Sequence, residues 1–216
     1  MLIASSAALL VRSVANLYAI DPRFATKGIA VVDATSSPQM TSAPRLQKLE
    51  ELVRSLGSLQ GVRSVGAAMK LPLRGGGDSF GVTVEGQPEA SNTFTYFRVV
   101  TRDYFETMGV KLRAGRALDG SDQPIADDDS TAEAAPVRYY LAGQAPWFSN
   151  VATFVLRTTR PADAAAVLDA ARRTVRDVAP VLAVQGTTTM ERVFDTAVGP
   201  ARRAATVDPA LVMREQ

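Results

Sequence analysis

At 216 residues the chain is long enough for one good hydrophobic core, or for two small lobes that share a sheet, and 46% of it is hydrophobic and 21% charged, as in an ordinary globular protein. Its 24 Lys plus Arg against 22 Asp plus Glu leave a net charge of +2, with the arginines scattered, so there is no electrostatic footprint for nucleic acid. The absence of Cys and His removes cysteine nucleophiles, Ser-His-Asp triads, zinc fingers and histidine-ligated metals, and leaves carboxylate or Ser-Lys chemistry open.

Residues 2–11 form an apolar, small-residue run that ends at Arg12, and Val14, Leu17, Tyr18 and Ile20 continue it on a helical period. A spanning helix needs ~20 predominantly apolar residues, and here a charge arrives after about half of that. Met1-Leu2 provides no basic region for a signal peptide. An amphipathic helix packed on its own domain is one reading of this segment.

Ile29, Val31 and Val32 predict a buried strand within 27–35, ended by Ser36-Ser37-Pro38. Leu46, Leu49, Leu52, Val53 and Leu56 recur at three to four residues after Ser42-Ala43-Pro44 and predict an amphipathic helix, with Gly57 and Gly61 near its end. A second strand over 62–69 completes a β-α-β unit. Further on, Phe80, Val82 and Val84 alternate with small or polar residues, 94–100 reads as a strand, and 103–108 as a helical turn broken by Gly109. Residues 119–136 hold Asp122, Asp127, Asp128, Asp129 and Glu133 among Ser, Ala and Pro, without a period, and read as an acidic linker. The first order then returns: a strand over 151–157, a helix opened by Pro161 with Asp163 in its first turn and Arg172, Arg173 and Arg176 near its end, a strand over 181–185, and a short helix over 187–197.

Few local patterns carry chemistry. Gly75-Gly76-Gly77 lacks the Gly-Lys-Ser/Thr of a phosphate loop and is followed by a strand-like segment, so a turn is expected. Asp127-Asp128-Asp129 lacks the alternating ligands and closing Glu of a calcium loop. Tyr139, Tyr140, Trp147 and Phe148 form an aromatic group suited to core packing or to a partner. Arg202, Arg203 and Arg214 make a weak polybasic signal in the tail, toward anionic lipid or an ATPase subunit. No catalytic, cofactor-binding or metal-ligating residue is assigned, and no cofactor is expected.

Three spaced blocks carry a more specific signal. Residues 61–77 read Gly-Val-Arg-Ser-Val-Gly-Ala-Ala, then Leu-Pro-Leu-Arg-Gly-Gly-Gly; 82–88 end in Val-Glu-Gly-Gln-Pro; and 98–116 contain Arg-Val-Val-Thr-Arg-Asp-Tyr-Phe-Glu-Thr-Met-Gly. In order and spacing these blocks resemble the extracytoplasmic core of MacB/FtsX-like ABC transporter permeases, in the orphan-permease branch. The resemblance implies an α+β fold: a split β-α-β, ferredoxin-like layer with an inserted, shortened second lobe. It implies a first-membrane-helix remnant over 1–24, an extracytoplasmic core over 25–198 (halves 27–70 and 151–198, inserted lobe 71–150), and a permease-like tail over 199–216.

The function it implies is that of a non-catalytic core domain of a transporter permease at the cell membrane. Its expected partners are an ABC ATPase subunit and other permease segments, with membrane association through the N-terminal helix and no nucleic acid. Two departures stand against it. Pro136-Val137 joins directly to Arg138-Tyr139-Tyr140-Leu141, where the family has more of the inserted lobe, and Gly199-Pro200 stands where it has further membrane helices. A chain without those helices forms no transport gate. The alternative is therefore a soluble binding or assembly module derived from a permease, and below it a carboxylate-dependent enzyme.

Overall fold

Four consecutive apolar residues, Ile29 to Val32, are satisfied by a strand covered on both faces, and all four are fully buried. They open β1 (Ile29–Ser36) in the computed structural model, which describes residues 22–37, 39–74, 79–82, 93–119, 137–144 and 150–206. The other elements are α1 (Ser42–Gly57), β2 (Val62–Ala68), β3 (Ser79–Val82), β4 (Thr93–Val100), α2 (Tyr104–Met108), β5 (Val137–Leu141), β6 (Val151–Thr158), α3 (Leu168–Val178), β7 (Leu182–Thr189) and α4 (Met190–Thr206). The molecule is a mixed α+β fold on one sheet, ordered β3-β4-β2-β6-β1-β7, with β5 joined in parallel to β4. β1 is antiparallel to both β6 and β7, and β6 is antiparallel to β2. The segment between the two β-α-β units continues the same sheet, since β4 meets β2 at Val100 and Ala68.

The period of two in the strands separates two faces. Ala30, Val32 and Ala34 of β1, Ala152, Phe154 and Leu156 of β6, and Val65 and Ala67 of β2 meet Leu49, Leu52 and Leu56 of α1 and Ala171 and Val175 of α3 in one core. Ile29, Val31, Ala68, Val100 and Val155 form a second core on the opposite face, with Tyr104 and Met108 of α2 and Met190 and Val193 of α4. The short helix α2 is fixed at its carboxyl end. Gly109 takes φ +69°, Ala25 N–H donates to the Met108 carbonyl at 2.7 Å, and Arg157 Nε donates to the Thr107 carbonyl at 2.7 Å. Both carbonyls are helix-end acceptors, and the cation also suits the negative end of the helix.

Tyr104 is 1% exposed and its hydroxyl has no hydrogen-bond partner. Burial first, and then the neighbouring Tyr139, push its phenol well above the ordinary value of 10, with Arg98 opposing. The folded chain therefore holds the proton while the unfolded chain sheds it near pH 10. The stability tied to this group is complete below that pH and falls as the pH rises above it. Tyr104→Phe is expected to flatten the alkaline loss and to gain about 1 kcal/mol at neutral pH by removing an unsatisfied hydroxyl. Urea titrations between about pH 8 and about pH 11 check both effects.

Several boundaries differ from the sequence reading. Residues 187–189 belong to β7, where Thr187, Thr188 and Thr189 pair with Val32, Val31 and Ala30, and the helix starts at Met190. Asp163 lies in a 3-10 turn, Pro161–Ala164, where it pairs with Arg160 at 2.8 Å, and the α-helix begins only at Leu168. Gly199-Pro200 lies inside α4, which runs on to Thr206. The largest correction concerns the membrane. Among the described residues no helix is long and apolar enough to cross one. The longest, α4, has 17 residues and carries Glu191, Arg192, Asp195, Arg202 and Arg203, whereas a span needs ~20 predominantly apolar residues. The expected placement at the cell membrane, and with it the membrane and transmembrane-transport role, is overturned on this finding. The expected first-helix remnant lies, as far as residue 21, outside the described residues, as do the acidic segment 120–136 and the end of the tail.

Candidate functional site

α2 and the first turn of α4 cover only part of the second face. At the other end of β1 the residues facing that way are Asp33 and Thr35, beside Val151 and Thr153 of β6. After β2 the chain passes over this area through Met69, Lys70, Leu71 and Arg74, and Gln185 of β7 closes the side. Gln185 is the unpaired residue at a register shift, because Asp33 pairs with Gly186 and the next residue, Ala34, pairs with Val184. Together these nine residues enclose an open cleft of about 460 Å³. Its size falls in the range of small-molecule sites, roughly 300–1,000 Å³.

The charged centre of the cleft is Asp33. Its Oδ1 accepts from Arg74 Nη1 at 2.6 Å and from Thr153 Oγ1 at 2.8 Å. Oδ2 turns toward β7, lying 3.9 Å from the place a Cβ would occupy at Gly186. One carboxylate oxygen is thus engaged by the protein, and the other lies beside the only residue type that brings no side chain. The segment that carries the cations is itself pinned. Met69 N–H donates to the Val99 carbonyl at 2.8 Å, and the buried Arg98 donates through Nη1 to the Lys70 carbonyl at 3.0 Å.

The Asp33 and Arg74 side chains are 21% and 30% exposed, so their attraction is partly screened. Arg74→Ala is expected to cost about 1 kcal/mol, well short of the 3–5 kcal/mol of breaking a fully buried pair. Urea denaturation checks the figure, and a loss near 4 kcal/mol would show that the cleft is closed to water.

The arrangement suits binding more than proton transfer between acids. Asp33 is the one acid among the described lining residues, whereas a two-carboxylate reaction needs a second. Among the described residues no three acids gather where one ion could be held.

The patterns singled out in the sequence fall elsewhere. Gly75-Gly76-Gly77 and Asp127-Asp128-Asp129 lie outside the described residues, as do Trp147 and Phe148. Tyr139 and Tyr140 part company, because adjacent strand residues face opposite ways. Tyr139 meets Phe105 edge-on at 4.8 Å in the second core, and Tyr140 packs against the first. Asp33, Arg74, Thr153 and Gln185 were not singled out by the sequence reading. A usable signal existed only for Asp33, an acid placed on the odd face directly after Ile29 and Val31. No family model, curated protein or solved structure matches the chain.

Proposed function

We propose that this chain is a non-catalytic binding module whose binding site is the Asp33 cleft, built on the split β-α-β layer that it shares with the external core of MacB/FtsX-like permeases. The single observation that carries the binding reading is the half-engaged carboxylate: Asp33, which lines the cleft, is fixed through Oδ1 by Arg74 and Thr153 while Oδ2 lies beside Gly186, where no side chain covers it. A group held rigid on one side and accessible on the other recognises a donor without having to reorganise. The ferredoxin-like part of the reading is supported by strand order. Counting only the strands of the two β-α-β units, β7-β1-β6-β2 runs fourth, first, third, second, with every neighbouring pair antiparallel.

The test is a screen of small polar molecules and short peptides by amide chemical-shift changes, followed by recovery of each hit. A ligand that saturates shifts around Asp33, Lys70, Arg74, Thr153 and Gln185, loses them in Asp33→Asn, and is recovered unchanged supports the reading. Chemical turnover of a hit would move the protein to the enzymes. Shifts confined to another surface, or no hit at all, would dismiss the cleft as its binding site.

A further inference from the structure

Taking that binding reading as its basis, we infer that the cleft selects an α-amino-acid zwitterion with an aliphatic side chain. Among the described residues the charged lining groups are one anion, Asp33, and two cations, Lys70 and Arg74. A simple cation directed at Asp33 Oδ2 meets the guanidinium 2.6 Å from the other oxygen, and a simple anion directed at Arg74 meets the carboxylate. Either pays for a repulsion that the cleft cannot relieve. A ligand with an ammonium and a carboxylate on the same carbon offers each pole its complement. The ammonium donates to Asp33 Oδ2, the carboxylate accepts from Arg74 along the wall that Lys70 shares, and Thr35 and Gln185 supply neutral hydrogen-bonding groups.

The remaining wall gives the side-chain preference. Val151, an exposed aliphatic residue, brings apolar side-chain surface to this space, with the buried Leu71 behind the same wall, and about 460 Å³ exceeds what a glycine would fill. Burying an aliphatic side chain there adds affinity without further polar matching. An N-acylated residue or an amino-acid amide retains the side chain and loses one pole, which separates the zwitterion from its two halves.

The experiment titrates the intact chain with L-leucine, N-acetyl-L-leucine, L-leucinamide and glycine, following amide shifts. Leucine is expected to saturate the shifts of the cleft residues, and the two blocked forms to bind at least about tenfold more weakly, the scale of one lost charged hydrogen bond. Glycine should bind more weakly than leucine. Asp33→Asn should weaken leucine by a similar factor, and Gly186→Ala provides a second variant. It leaves the Arg74 and Thr153 contacts in place and sets a methyl 3.9 Å from Oδ2, so it should weaken leucine while the fold is retained. Equal binding of leucinamide would make this a cation site, and equal binding of N-acetyl-leucine an anion site; either overturns the inference. Silence from all four probes also overturns it. If another ligand in the wider screen still shifts the same residues, the binding reading stands without the zwitterion; if none does, both fall.

Discussion

Phe154→Ala is expected to lower the free energy of unfolding by about 3–5 kcal/mol, the usual loss for a large aromatic removed from a close-packed core. Phe154 is fully buried near the middle of β6, the strand that lies between β1 and β2. It pairs with Val32 on one side and Ala67 on the other, and shares a core with Leu52 of α1 and Val175 of α3. Two small or β-branched strand neighbours and two helices share this core with the ring, so filling the void would require breaking strand pairing or shifting a helix. Against the 5–15 kcal/mol typical of a domain this is a large fraction. Urea denaturation should show a lower midpoint with an unchanged slope. A cost below about 1 kcal/mol would mean that β6 is not the centre of the core.

Gly66→Ala is the second large effect, and it works through the other face. A Cβ at Gly66 would lie 2.6 Å from Tyr104 Cα and 3.0 Å from its backbone nitrogen. Neither atom can rotate aside as a side chain would, so either β2 or the whole of α2 must move. Overpacking of this kind costs about 1–3 kcal/mol, and displacing α2 exposes Tyr104 and Met108 as well. The control is Gly57→Ala at the end of α1, where the nearest atom is Val65 Cγ2 at 3.9 Å and alanine's better helix propensity favours the change. Denaturant midpoints for the two variants should move in opposite directions. Faster amide exchange confined to residues 101–109 in Gly66→Ala would locate the damage at α2.

Local pattern made the elements legible, because each is written within a few residues of itself. The period of α1 through Leu49, Leu52 and Leu56, the apolar run of β1 and the stop at Gly109 all follow from nearest-neighbour chemistry. The end of β7 was harder. Thr187-Thr188-Thr189 is weakly suited to a helix, and only pairing with Val32, Val31 and Ala30 decides that it is strand. The helix through Gly199-Pro200 runs against propensity and had no sequence signal in its favour. The site was the least legible of all. Asp33 meets Arg74 across 41 positions and Thr153 across 120, and their meeting depends on strand order, which no local period encodes.

The register shift at Gln185 also bears on how these molecules behave in a crowd. Among the described residues β7 is the last strand on its side of the sheet, and its eight residues, Leu182 to Thr189, include no charge and no proline to discourage a neighbouring chain from pairing with it. The extra residue interrupts that edge midway and bends it, so an approaching straight strand finds two short stretches instead of one continuous row of donors and acceptors. The register shift that leaves Gln185 unpaired beside the cleft thus also shortens the rows this edge offers to a neighbouring strand.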